Sequence, residues 1–246
     1  MVRLSVNVNK VATVRNSRGG TTPSVLQAVT VCIEAGSRGI TVHPRADARH
    51  ITVADVCEIA AQLAPLKGQV EYNIEGDPRP DLLELVHRVR PDQCTLVPVR
   101  PGEITSQAGW VADTPRATLA RAIGGLRAAQ IRVSLFVDPE DAPIRWAADL
   151  GADRVELYTE PFARAFEVGD AEAKRSFATY ARAAELAHSL GMGVNAGHDL
   201  TLENLGMFRR LPYLDEVSIG HALISHALFV GLAQSVREYL EVLADS

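Results

Sequence analysis

The sequence predicts a (β/α)8 barrel, a TIM barrel with extra helices, built as a single domain over residues 1–246. Three observations predict it. Eight short apolar runs of strand length occur in order, amphipathic stretches of helix length separate them, and the 246 residues match the ~250 typical of such barrels.

Arg3 to Val8 opens the chain as an alternating strand. Ser24 to Ala35 reads as an amphipathic helix stopped by Gly36, and it leads to the second strand, Gly39 to Val42. Val53 to Ala64 and Val70 to Ile74 form the next helix and strand, and Pro80 to Val89 with Gln93 to Val97 repeat the unit. Pro115 to Ala129 precedes the fifth strand, Arg132 to Val137. Pro139 to Leu150, stopped by Gly151, precedes the sixth, Arg154 to Tyr158. Ala171 to Leu190, stopped by Gly191, precedes the seventh, Gly193 to Asn195. Leu202 to Arg210 and Glu216 to Ile219 complete the set, with Ala222 to Leu243 as the last helix. Two strand-to-helix connections are long, Pro98 to Thr114 and Thr159 to Asp170. Loops of that length on the catalytic face of a barrel often act as lids, and that is the expectation here.

Composition narrows the function. Hydrophobic residues make up 47% and charged residues 22%, as in globular domains rather than disordered or fibrous chains. The net charge of -5 and the absence of a dense Lys/Arg stripe argue against nucleic acid or an anionic membrane as partner. No apolar run approaches the ~20 residues of a membrane span, and no leader pattern precedes the first strand. Cys32, Cys57 and Cys94 are odd in number and show no C-x-x-C spacing, so a disulfide framework or structural zinc is not expected and a reducing cytoplasm is.

In a barrel of this kind, function gathers at the C-terminal ends of the strands. Those ends read Asn7 and Asn9 with Lys10, His43 and Arg45, Glu75, Thr105 in the fourth loop, Asp138, Glu160, His198, and Gly220 with His221. Histidines and a glutamate converging on one face suit proton transfer. Arginines number 22 against three lysines, a bias explained by genome composition for those on helices. Arg15, Arg18, Arg45 and Arg49 differ, because they come after the first two strands, and guanidinium groups there point to a phosphorylated substrate. Gly220, between the last strand and its helix, admits an anion to the helix N-terminus. The adjacent segment Asn195 to Thr201 adds Gly197 and His198, with Asp199 or Thr201 as a cap of the next helix.

Other chemistries fit less well. Metal-dependent hydrolase barrels place an H-x-H pair where this first strand has Asn7-Val8-Asn9, so no metal is expected. Schiff-base aldolases need a strand-end lysine, for which Lys10 alone qualifies, and this rival stays open. A catalytically silent barrel is the other rival. G-x-S-x-G, P-loop and G-x-G-x-x-G motifs do not occur.

The segments V-N-V-N-K-V-A-T-V-R-N-S-R-G-G (6–20), G-I-T-V-H-P-R-A-D-A-R-H-I (39–51), Y-N-I-E-G (72–76), L-V-P (96–98), R-V-S-L-F-V-D (132–138), R-V-E-L-Y-T (154–159), V-N-A-G-H-D-L-T (194–201) and S-I-G-H (218–221) together resemble the pyridoxine 5'-phosphate synthase family, in order and over nearly the whole chain. The resemblance implies a cofactor-free, cytoplasmic, homo-octameric barrel enzyme of vitamin B6 biosynthesis. Such an enzyme condenses 1-deoxy-D-xylulose 5-phosphate with 3-amino-2-oxopropyl phosphate to pyridoxine 5'-phosphate, phosphate and water. It also implies acid/base roles for His43, Glu75 and His198. Asn7, Arg18, Asp199, Gly220 and His221 are implied as contacts of the aminoketone phosphate, and Asn9, Lys10, Arg45, His50 and Thr105 of the sugar phosphate. The N-I-E-G match selects Glu75 over Glu71, four residues earlier and on the same side of the strand. The chain departs from the best-known form of the family at Asn9-Lys10, where that form reads D-H, and at Asp199, where it has glycine.

Overall fold

The computed structural model describes residues 1–99 and 108–244. Its elements in chain order are β1 (Arg3–Asn7), α1 (Asn9–Asn16), α2 (Val25–Glu34), β2 (Gly39–Val42), α3 (Val53–Leu63), β3 (Glu71–Gly76), α4 (Pro80–Val89), β4 (Gln93–Leu96), α5 (Arg116–Ala128), β5 (Arg132–Val137), α6 (Asp141–Asp149), β6 (Arg154–Tyr158), α7 (Glu160–Val168), α8 (Asp170–Ser189), β7 (Gly193–Gly197), α9 (Leu202–Phe208), β8 (Leu214–Ile219), α10 (His221–Val230) and α11 (Leu232–Ala244). All eight strands are parallel and each pairs with its sequence neighbours. The pairing of β1 with β8, Ser5 opposite Ser218, closes the barrel. The helix-stop glycines behave as expected: Gly36, Gly151 and Gly191 have φ of 112°, 82° and 82°, a region that penalises any side chain.

Three expectations are corrected. The connection 159–170 is not an open loop, because α7 forms there and buries Phe162 against Tyr180 and Phe208, with ring centroids 6.1 and 5.0 Å away. The stretch after the eighth strand is two helices, broken at Gly231 with φ 87°. Helix α1 adds to the expected elements, since Val11 and Ala12 are its only buried residues and its apolar stripe is too narrow to register. The fourth connection is described only from residue 108 onward. There Trp110 donates its backbone N–H to Phe136 O and its indole N–H to Leu96 O, tying the return of the chain to β4 and β5.

Strand side chains divide by period two. Leu4, Val6, Ile40, Ile74, Leu135 and Leu157 are buried in the apolar layer shared with the helices. Their alternates face the barrel axis, and most of them are polar. A chain of contacts crosses the interior from Ser5 Oγ to Thr41 Oγ1 (2.7 Å), Asn73, Thr95, Gln93 and Arg132. At the N-terminal end, Arg3 and Arg132 pair with Glu71, and Arg3 also reaches Glu216. The interior is thus held by hydrogen bonds and ion pairs where many barrels use branched apolar layers. This leaves polar groups available at the opposite, C-terminal mouth.

Candidate active site

A cavity of about 420 Å³ opens at the C-terminal mouth, and eleven of the thirteen expected site residues line it: Asn7, Asn9, Lys10, His43, Arg45, His50, Glu75, His198, Asp199, Gly220 and His221. Arg18 does not, being exposed beyond the end of α1. Thr105 lies outside the described residues.

The floor is built from the ends of β1, β2 and β3. Glu75 sits at the top of β3, buried, with Asn7 Nδ2 3.5 Å and His43 Nδ1 3.8 Å from its Oε2. Burial, reinforced by Glu156 and Glu216, pushes the Glu75 carboxyl well above the ordinary range. Burial, reinforced by the charges of Arg45 and neighbouring groups, pushes the His43 imidazole well below its ordinary value. The two therefore meet as a neutral acid and a neutral base rather than as an ion pair. His43 Nε2 is buried and has no hydrogen-bond partner among the described residues, so it remains available to a bound molecule.

Asn9 does not simply face the cavity. Its Oδ1 accepts the backbone N–H of His43 at 2.9 Å, fastening the β1 connection to the β2 connection. Arg79 fastens the other side by donating to Pro44 O at 2.6 Å, while pairing with Asp77 and Asp81. His43 is thereby held from both neighbouring connections.

The cationic rim consists of Lys10, Arg45 and Arg49. Arg15 is not part of it. It lies in α1 and binds Asp55 through two bonds of 2.5 and 2.9 Å, and it also donates to His50 O. His50 is pushed down to about 4 by burial and by Arg45 and Lys10, and its Nδ1 accepts the Ile51 N–H, so its proton resides on Nε2.

On the far side, Gly220 precedes α10, and a Cβ at this position would lie 3.0 Å from Asn7 Cβ, which accounts for glycine there. The N-terminus of α10 opens on the cavity at Gly220, His221 and Ala222. Thr201, not Asp199, caps α9, in a reciprocal box with Asn204. His198 is half-buried against Phe136 and Tyr158, with ring centroids 5.1 and 5.5 Å apart, and burial lowers its proton affinity while Asp199 opposes the shift.

Strand-end reasoning missed several lining residues, chiefly Glu156, Ser218 and Phe136. Glu156 is buried inside the barrel and pushed up to about 8 by burial and by Glu216. Its signal is a glutamate between Val155 and Leu157, an inward position by alternation, but attention to the strand end selects Glu160 instead. Glu160 belongs to α7, pairs with Arg164 and lines a neighbouring cavity. Among the described residues, no group of three or more His, Cys, Asp and Glu side chains is arranged to hold a metal, and no helix is long and apolar enough to cross a membrane.

Comparison with known proteins gives the family and the fold. The family model of the pyridoxal phosphate biosynthesis protein PdxJ matches residues 4–245. A pyridoxine 5'-phosphate synthase of Porphyromonas gingivalis is 49% identical over 245 residues, covering 99% of this chain and 100% of the relative. One from Christiangramia forsetii is 49% identical over 244 residues with the same coverage. Among solved structures, a thiamine phosphate pyrophosphorylase from Pyrococcus furiosus has a TM-score of 0.61 at 14% identity, covering 98% of this chain and 95% of that one. A phosphoribosyl anthranilate isomerase from Thermotoga maritima has a TM-score of 0.62 at 14% identity, covering 99% and 98%. These two share the fold alone.

Proposed function

The chain belongs to the PdxJ family of pyridoxal phosphate biosynthesis proteins, and from that membership we infer that its mouth cavity is the active site of a pyridoxine 5'-phosphate synthase. The reaction joins 1-deoxy-D-xylulose 5-phosphate and 3-amino-2-oxopropyl phosphate, releasing phosphate and water as the pyridine ring closes. The observation that supports this reading best is the neutral pair Glu75 and His43 facing His198 across one cavity, between a cationic rim and a helix N-terminus.

The aminoketone amine attacks the sugar ketone, so the nucleophile comes from substrate and neither an enzyme lysine nor a cofactor enters this scheme. The later steps are repeated proton transfers. Glu75, held protonated by its surroundings, supplies a proton to departing hydroxyl and takes one back. His43, held neutral, accepts protons at Nε2, and His198 serves the opposite side of the ring being formed. Lys10, Arg45 and His50 Nε2–H contact the sugar phosphate, while Gly220, His221 and the first turn of α10 contact the aminoketone phosphate. In this reading the chain acts as one catalytic domain, in a cytoplasmic homo-octamer.

Incubation of the purified protein with both phosphorylated substrates tests the proposal. Formation of pyridoxine 5'-phosphate and inorganic phosphate in equal amounts is expected. Borohydride trapping of a covalent adduct on Lys10, without ring formation, would replace this reading with an aldolase.

A further inference from the structure

The strand end that bears His198 has a backbone most side chains avoid. His198 and Asp199 have φ of 82° and 56°, both left-handed and neither glycine. A glycine would adopt this turn unaided, but a glycine has no imidazole to offer. A histidine placed here has to be held.

The holding groups come from outside the strand. Gly197 O accepts from the backbone N–H of Thr159 at 3.1 Å and from its Oγ1 at 2.6 Å, and the single hydroxyl proton is shared with His198 O in a bifurcated contact. Asp199 O accepts from Asn204 Nδ2 at 3.0 Å. All three successive carbonyls are thus engaged, and both donor residues are buried. Thr159 is itself fixed, because the Tyr180 hydroxyl donates to the carbonyl of the preceding Tyr158. Tyr158 also forms, with Phe136, the corner in which the His198 ring rests.

We propose that Thr159, assisted by Asn204, is a positioning residue that clamps the left-handed His198–Asp199 pair and so keeps the His198 imidazole in the mouth cavity. The proposal rests on the reading of His198 as an acid/base group. A hydroxyl that sits across two successive carbonyls restrains their relative orientation, and the direction of the intervening Cα–Cβ bond is set by it. Misplacement of a reacting group by an ångström slows chemistry far more than it weakens substrate binding, most of which is made at the cationic rim and the first turn of α10.

Thr159→Val removes the hydroxyl and keeps the shape, whereas Thr159→Ser keeps the donor. Steady-state kinetics on the full-length protein should show kcat of Thr159→Val lower by about 10- to 100-fold, with KM for both substrates changed by less than about threefold. Thr159→Ser should stay within about threefold of the unaltered protein in both constants. The His198 Cε1–H resonance of the free protein should be single and sharp in the unaltered protein and in Thr159→Ser, and doubled or broadened in Thr159→Val. An unaltered kcat in Thr159→Val, or equal damage from valine and serine, overturns the clamp. If Thr159→Val does not fold, Asn204→Asp applies the same test. It retains the cap oxygen toward Thr201 N–H and loses the donor to Asp199 O, so the same loss of kcat and broadening are expected, and their absence overturns the proposal. An unaltered protein that makes no pyridoxine 5'-phosphate refutes the functional reading, and the resonance then decides the clamp by itself.

Discussion

Glu71 and Glu75 share β3 and its inward face, four residues apart, yet they end in opposite chemistry. Glu71 meets Arg3 and Arg132 at the closed end of the barrel and serves as an ion-pair partner. Glu75, at the mouth, has no Lys or Arg in ion-pair contact among the described residues and is forced by burial toward its neutral form, the state a general acid needs. Glu75→Gln should fold and bind both substrates yet lose kcat by about 10² to 10⁴. Glu71→Gln should keep kcat within a few-fold and lose roughly 2 kcal/mol of stability, less than the 3–5 of a fully buried pair because both arginines reach solvent. Parallel turnover and urea-unfolding measurements separate the two. If the variants were equally active, the acid would have to be sought elsewhere in the cavity, with Glu156 the first candidate.

Helix α1 shapes the site twice over, directly through Asn9 and Lys10 on the cavity and indirectly through side chains that do not reach it. Its Arg15 binds Asp55, which is also the reciprocal partner in the N-terminal box of α3, and its Asn16 donates to the carbonyls of Arg49 and His50. The arginine-bearing connection after β2 is therefore backed by side chains from the connection after β1. Arg15→Ala should cost on the order of 3 kcal/mol, since it strands a largely buried carboxylate. It should raise KM for the sugar phosphate while leaving kcat nearly unchanged. A phosphate affinity lost as completely as in Arg45→Ala would show instead that Arg15 contacts substrate directly.

Across the whole molecule, buried carboxyls inside the barrel make stability depend on pH. Glu156 and Glu216 are raised from the ordinary 4.5, Glu156 to about 8 and Glu216 to about 7, both first by burial. Between the unfolded and folded values the native state binds more protons, so these groups stabilise most at the acid side and their contribution falls as pH rises. His43 and His50 act the other way, being lowered from 6.5, so their protonation opposes folding on the acid side and their effect is complete by about pH 6.5. The carboxyl effect is therefore seen alone from about pH 6.5 to 8, where urea midpoints should decline. Glu156→Gln should flatten that decline and be more stable than the unaltered protein at pH 9. An unchanged slope in Glu156→Gln would mean that Glu156 is ionised in the folded state.

Whatever depends on consecutive residues was legible in the sequence. Gly36, Gly151 and Gly191 marked helix ends because a left-handed stop is a local requirement, and Gly39–Val42, Arg132–Val137 and Arg154–Tyr158 stood out by their apolar residues. His43, Glu75 and His198 could be placed on one face because parallel strands joined by helices all end on the same side. What depends on contacts distant in sequence came only with barrel closure. Arg15 looked like a phosphate ligand until the fold brought Asp55, forty positions away, against it. Glu156 looked like one more strand residue until the closed interior put it beside Glu75 and Glu216. The left-handed turn at His198 is likewise invisible locally, because the groups that sustain it belong to the end of β6 and the first turn of α9, and only packing brings their donors to its carbonyls.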